Sequence, residues 1–355
     1  MKLLFITRKV DINDPMQGFI FSWLNKFASK LEKLYVICLE TGAGNELLLE
    51  KNIEVYSMGK EKGKNRLREF FNYLMWLKKT VPQSDGIFVH MHPVYAIIAW
   101  PFAKLYRKKL TLWYTHKAVD LKLRVAHLLV DIVFTASKES FRIKSNKVKE
   151  IGHGIDVERL SPNSLFTMKK NGHRLVSFGR IAPVKKLEVL IEAMNILINK
   201  RKLDVTLDIF GNAALPADEK YRQSLKNKIV QYGFGKKVEL LDAMPHTHLM
   251  QVLSSSYDIV INLSETGSID KAVVEAASCG TIVITTNEAF KNQLPKISDK
   301  LFLERNDPEK LASRIAELVA LPQDEKDRLG EALRNWVATS HNLENLVEKV
   351  IAAYK

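Results

Sequence analysis

Short runs of β-branched and aromatic residues alternate with longer amphipathic stretches along the whole chain. In the first half the runs fall at residues 2–7, 33–40, 52–58, 85–92, 109–115, 131–137 and 147–154. In the second half they fall at 175–179, 205–211, 238–242, 259–264 and 281–287. Between most of them lie segments with apolar positions three and four apart, such as FIFSWLNKFASKL, NRLREFFNYLMWLKK, KLEVLIEAMNILINK and DKAVVEAAS. A period of two predicts strands and a period of 3.6 predicts helices. Their alternation predicts parallel sheets covered on both faces. Right-handed crossovers then make each half a doubly wound, Rossmann-like unit. From Asp307 onward the pattern is helical only, and the last helix gathers Leu346, Val347, Val350, Ile351 and Tyr354 on one face. That face must be buried, and packing back on the first domain is one way.

A chain of 355 residues is long for a single core and suits two domains. The polar stretch RLSPNSLFTMKKNGH (159–173) reads as the linker. The expected division is residues 1–160, residues 161–340 and a closing helix at 341–355. Together they form an α/β protein of two Rossmann-like domains facing across a cleft. No stretch reaches the roughly 20 apolar residues of a membrane span; the longest candidate, Pro93 to Ala103, is about half that. The amino terminus is apolar for only a few residues before Arg8 and Lys9, which predicts a buried strand rather than a signal peptide. Cys38 and Cys279 sit in unrelated apolar segments, which points to a reducing, cytoplasmic compartment. The net charge of +14 is concentrated in the first half. Such a surface attracts phosphates, whether of nucleotide, nucleic acid or anionic lipid.

Ligands of open α/β sheets bind beyond the carboxyl ends of the strands, so the chemistry is sought just after them. After LVSFG, Gly179 ends a strand, and Arg180 and Lys185 lie on the loop that opens the next helix. Two cations beside a helix amino terminus form an anion site, with Arg suited to bidentate contact and Lys serving as a point charge. After IVINLS comes a polar turn, Thr266–Gly267–Ser268–Ile269, able to aim backbone N–H groups at a ligand. Asp270 then reads as the N-cap of a helix ending at Gly280. Within it Glu275 is surrounded in sequence by Ala272, Val273, Val274, Ala276 and Ala277. A carboxylate among apolar neighbours requires a partner. Lys271, four residues earlier, is one, and ribose hydroxyls are another. His90 and His92 alternate at the end of a strand and point the same way, so that one of them could line an acceptor cleft. A metal site is not expected there, because no third ligand is near.

These motifs resemble a GT-B glycosyltransferase of family 4, the retaining group that includes bacterial lipid mannosyltransferases and lipopolysaccharide glucosyltransferases. The resemblance rests on GRIAPVKKLEVLIEA, VTLDIFGNA, YDIVINLS and KAVVEAASCGTIVITT, in family order and spacing, and on IGHGIDVERLSP, with His153 where Asn is common. It implies that Arg180 and Lys185 hold the donor diphosphate and that Glu275 binds the nucleotide ribose. It also implies that His116, at the end of KLTLWYT, lies near the reacting bond. Gly18 stands where the family carries a Gly-rich loop approaching the diphosphate, with Gln17 before it in place of a second glycine. The family often has a second glutamate seven residues before the one at 275, contacting the donor sugar. That position here is Gly267, so the sugar contact falls to the N–H groups of Gly267, Ser268 and Ile269 or to another side chain. Glu265 lies two residues earlier.

The resemblance implies a metal-independent hexosyltransferase of envelope-glycan biosynthesis, using a UDP- or GDP-sugar and no cofactor. The cationic, aromatic segment 60–79 and the cations of 104–113 imply peripheral binding to an anionic membrane surface and a lipid-linked acceptor rather than a specific nucleic acid. Alternatively the apolar residues Phe70, Phe71, Leu74, Met75 and Leu77 are core. Two other classes remain open: a GT-B nucleotide-sugar 2-epimerase, which would want more carboxylates in the cleft, and a non-catalytic nucleotide or anionic-lipid binding protein.

Overall fold

The structure is a computed structural model that describes residues 1–14, 16–44, 48–158, 172–295 and 299–355. The expected linker lies outside the described residues except for its last two positions. The chain divides into two compact units, one of Met1–Asp156 with His341–Lys355, the other of Val157–Ser340.

In the first unit seven strands run parallel: β1 (Lys2–Val10), β2 (Lys33–Thr41), β3 (Ile53–Ser57), β4 (Gly86–His90), β5 (Lys109–Trp113), β6 (Ile132–Thr135) and β7 (Val148–Glu150). Their order is β3-β2-β1-β4-β5-β6-β7, reversing beside β1. The central strands are buried on both faces, which is why they read as continuous apolar runs. On one face lies α1 (Ile20–Ser29), which buries Ile20, Phe21, Trp23, Leu24, Phe27 and Ala28 at helical spacing. The closing helix α11 (Leu343–Ala352) shares that face, burying Leu343, Leu346, Val347, Val350 and Ile351 in the same core cluster. Its apolar stripe is therefore satisfied within this unit. Lys26 is 2.9 Å from Glu344, and Lys30 bonds Glu344 and, at 3.1 Å, Glu348. Beyond the helix, the Tyr354 hydroxyl donates to the Ile87 carbonyl at 2.8 Å and pairs with Thr111 Oγ1 at 2.6 Å. The Tyr354 ring occupies the space where a side chain at Gly86 would stand. The other face carries α2 (Arg66–Thr80), α3 (Pro93–Leu105) and α4 (Leu121–Leu129), packed on a second cluster around Leu4, Ile6, Tyr73 and Leu112.

In the second unit five parallel strands, β8 (His173–Phe178), β9 (Val205–Phe210), β10 (Val238–Leu241), β11 (Ile259–Asn262) and β12 (Ile282–Thr285), take the order β10-β9-β8-β11-β12. The helices are α5 (Leu187–Asn195), α6 (Pro216–Gln231), α7 (His246–Ser256), α8 (Lys271–Ser278), α9 (Pro308–Val319) and α10 (Gln323–Ser340). The order again reverses beside β8, between it and β11, and this is where ligands enter such sheets. The next residues after these two strands are the loops that carry Arg180, Lys185 and the 266–269 turn.

Candidate active site

Gly179 follows β8 with φ of 129°, a value that side-chain-bearing residues rarely adopt. Its carbonyl is so close to β9's exit that a Cβ on Gly211 would lie 2.0 Å from it. The two glycines let the loop turn sharply, and Arg180 emerges exposed with its Nε 4.0 Å from the buried Asp218. At that distance Asp218 orients the guanidinium without consuming it. Lys185 is more enclosed. Its Nζ lies 2.5 Å from Asp270 Oδ2, which also accepts from Asn262 Nδ2 at 3.1 Å. Arg180, Lys185, Gly179 and Asn262 line one small pocket at the carboxyl ends of β8 and β11.

The amino terminus of α5, expected to form the anion site together with the two cations, is partly occupied. Leu187 N–H donates to the Tyr221 hydroxyl at 2.8 Å, and Val189 N–H to the Lys186 carbonyl at 3.1 Å. Tyr221 in turn bonds Glu188. A packed tyrosine from α6 thus occupies part of this helix end, and positive charge here comes chiefly from the side chains of Arg180 and Lys185.

Asp270 caps α8: its Oδ1 accepts from Ala272 N–H at 3.2 Å. Burial alone would raise its pKa, but the Lys185 charge and hydrogen bonds outweigh it and bring the carboxyl down to about 2. Glu275 lies five residues along the same helix, about 7.5 Å of rise, and is buried. Its Oε1 bonds both Lys271 and, at 2.5 Å, His246 Nε2 from the start of α7. Burial again opposes ionisation, and the Lys271 and His246 partners overcome it, so that this carboxyl titrates at about 2. Among the described residues, Oε2 of Glu275 accepts nothing. The intrahelical pair with Lys271 therefore coexists with a free, charged acceptor oxygen.

The 266–269 turn is held by Asn287, whose Nδ2 donates to the Ser268 carbonyl at 2.9 Å and to Thr266 Oγ1 at 3.2 Å. Gly267 has φ of 61°, and Ser268 and Ile269 are buried. Among the described residues, the N–H groups of Gly267 and Ser268 find no acceptor. Glu265 is drawn off to Lys186 at 3.5 Å and to Asn306 at 2.8 Å.

The remaining sequence candidates belong to the first unit. Gly18 lies in the turn between β1 and α1, where a Cβ would come within 2.8 Å of the carbonyls of Ile12 and Asp14. Asp14 organises this turn by accepting from Met16 and Gln17 N–H groups at 2.8 Å each. His116 is exposed beyond β5, and its Nδ1 accepts from Ala118 N–H at 3.1 Å. That contact selects the tautomer with the proton on Nε2. His90 and His92 do not share a face. The strand ends at His90, and Met91 takes a left-handed φ of 65°, which breaks the alternation. His90 is 3% exposed, stacked on Trp113 with centroids 5.1 Å apart and bonded to Thr7 Oγ1 at 3.2 Å. His92 begins α3 beside Tyr95. Its pKa is lowered to about 4 by burial and by Arg8.

Two residues escaped the sequence reading. His246 follows β10 and carried no motif, although a histidine just past the carboxyl end of a strand is itself a signal. Asp270 read only as a cap, because its pairing with Lys185 spans 85 positions.

Residues 166–336 match the family model described as glycosyl transferases group 1. The chain is similar over its whole length to solved structures. Anabaena HepE in complex with UDP-glucose shares 17% identity at a TM-score of 0.77, covering 99% of each chain. A Rickettsia africae glycosyltransferase shares 16% at 0.77, covering 100% of this chain and 98% of that one. Sucrose-phosphate synthase from Thermosynechococcus elongatus shares 15% at 0.76, with coverage of 100% and 98%. These likenesses establish the GT-B fold. No curated protein matches the sequence with significance.

Proposed function

We propose that this glycosyltransferase moves a hexose from a nucleoside-diphosphate sugar to a lipid-linked or envelope-glycan acceptor, with retention of configuration and without a metal ion, at the cytoplasmic face of a membrane. The carrying observation is the second-unit arrangement. Arg180 and Lys185 line one pocket, and Lys185 is bonded to the cap of the helix that presents the open Oε2 of Glu275. A diphosphate takes the cations, and the ribose hydroxyls donate to Glu275. The N–H groups of Gly267 and Ser268 serve the sugar or the adjoining phosphate in place of the glutamate absent at 267.

Transfer of this kind depends on stabilising the departing diphosphate, and fixed cations do so without reorganising. In the proposed step the bond from the anomeric carbon to the phosphate oxygen breaks. A bond to the acceptor oxygen forms on the same face, and the acceptor proton passes to the leaving phosphate. His116, with its Nε2–H exposed, is assigned to the acceptor side near the reacting bond. The HepE complexes with UDP and UDP-glucose make uridine the first base to test.

The test is a thermal-shift screen with UDP, GDP and their sugars, followed by turnover with the donor that stabilises most, in the presence of a chelator. Stabilisation by one nucleoside diphosphate, and its loss in Arg180→Ala and Lys185→Ala, supports the reading. Unchanged turnover in both variants defeats the electrostatic account, and binding without any transfer leaves a non-catalytic nucleotide-binding protein.

A further inference from the structure

Helix α2 has two apolar faces where a covered surface helix needs one. Tyr73, Leu77 and Thr80 are buried against the sheet. Leu67, Phe70, Phe71 and Met75 stand out at 71%, 43%, 63% and 49% exposure, with Leu74 half-buried among them. Positions 67, 70, 71, 74 and 75 have the i, i+3, i+4, i+7, i+8 spacing of a single stripe. The sequence left these residues between core and surface; only Leu77 is core. Next to α2 on the same face of the sheet, the Tyr73 hydroxyl reaches the Tyr95 carbonyl of α3 at 2.8 Å. That helix turns only alanines, Ala96, Ala99 and Ala103, fully inward. Its bulkier Ile97, Ile98 and Trp100 are left partly exposed.

Cations flank the stripe. Lys62, Lys64 and Arg66 are exposed before it and Lys78 after it, and among the described residues none of the four has an acidic partner. By contrast Lys60 pairs with Glu40 at 3.0 Å, and Lys79 lies over the Tyr56 and Trp76 rings.

We propose that the outer face of α2 is the surface by which this protein docks on an anionic bilayer, with the stripe in the interface and the four cations at the headgroups. The inference deepens the proposed function and rests on its reading of a lipid-linked acceptor; the surface itself is a property of α2. Two arguments favour a bilayer over a protein partner. At about 200 Å² for an exposed aromatic side chain, the four side chains offer on the order of 400 Å², half of the roughly 800 Å² each partner gives to a stable protein interface. A single amphipathic helix with a basic rim is, however, sufficient for interfacial binding. Among the described residues no helix is long and apolar enough to cross a membrane, which makes the mode one of lying on the surface.

The experiment is sedimentation of the full chain with phosphatidylcholine vesicles, with and without phosphatidylglycerol, at moderate salt, alongside UDP binding. The expected result is binding to the anionic vesicles that weakens about tenfold or more in Phe70→Ser/Phe71→Ser, with UDP affinity unchanged. Lys62→Glu/Lys78→Glu is expected to lose the preference for anionic lipid. Failure of the wild type to bind either vesicle, or binding by both variants equal to wild type, overturns the inference. Self-association abolished by the same variants, with no vesicle binding, overturns it in favour of a protein partner. Vesicle binding without UDP binding would support docking and overturn the proposed function; transfer to a short-chain acceptor without vesicle binding would do the reverse.

Discussion

Lys185 and Asp270 form a 2.5 Å ion pair that joins the loop after β8 to the cap of α8. The lysine proposed to receive the donor diphosphate is thus already held by an anion, and an incoming phosphate competes with or shares that contact. Asp270→Asn keeps a good N-cap but removes the charge. It leaves the half-buried Lys185 cation without its counter-ion, at a cost of about 1–3 kcal/mol. A lower melting temperature in the free state is expected, with a larger rise on adding UDP than in wild type, since the diphosphate then supplies the missing charge. A rise no larger than in wild type would show that Lys185 does not meet the ligand.

Glu275 presents one oxygen because Lys271 and His246 hold the other. Glu275→Gln is expected to weaken nucleotide binding about tenfold or more, as expected for loss of a charged hydrogen-bond acceptor. His246→Ala, which frees the carboxylate to rotate, is expected to weaken it by about 1 kcal/mol. Calorimetric titration with UDP checks both. Equal affinity in wild type and Glu275→Gln would remove the ribose contact.

At His116 a different split is expected. Its side chain accepts from Ala118 N–H and keeps Nε2–H exposed, on the unit that lacks the donor cations. His116→Ala should lower kcat by about a hundredfold, the low end for a group acting at the reacting bond, and leave UDP affinity unchanged. A change in UDP affinity with kcat intact would assign it to donor binding instead.

Acid should destabilise the protein in two stages. Burial lowers His92 from 6.5 to about 4 and His341 to about 3. Glu275 and Asp270 are lowered to about 2 from 4.5 and 3.8. In each case the native state binds fewer protons than the unfolded chain, so stability rises with pH across the window between the two values. The melting temperature should therefore fall from about pH 6.5 downward through the histidines, and again below about pH 4.5 through the carboxylates. His92→Asn, which does not titrate, should flatten the upper stage; an unchanged profile would contradict the half-buried, neutral histidine.

The closing segment should report on the first unit. Tyr354→Phe loses hydrogen bonds to Ile87 and Thr111, for about 1–2 kcal/mol. Gly86→Ala places a Cβ 2.2 Å from the Tyr354 ring and should cost about 1–3 kcal/mol through overpacking. Urea unfolding followed by tryptophan fluorescence measures both, since Trp23, Trp76, Trp100 and Trp113 all lie in this unit. Unaltered midpoints would mean that the segment adds nothing to it.

Local pattern was enough to read the two parallel sheets. Each strand starts within two residues of its expected place, because strands buried on both faces must be continuously apolar and the intervening helices must be amphipathic. The loops bearing Arg180, Lys185 and Gly267 were legible for the same reason, since ligand-binding turns follow strand ends. What the chain order hides is which side chain meets which. Lys185 and Asp270 are 85 positions apart, and His246 and Glu275 are 29 apart. Lys185 meets Asp270 only because β8 and β11 are neighbours in the order β10-β9-β8-β11-β12, and His246 meets Glu275 only because α7 packs on α8. The same holds for charge and exposure. Whether Phe70 and Phe71 face core or water, whether His90 and His92 share a side, and whether the start of α5 is open depended on long-range packing and on one left-handed residue. A periodic pattern determines that a face is apolar; only the assembled neighbours determine whether anything covers it.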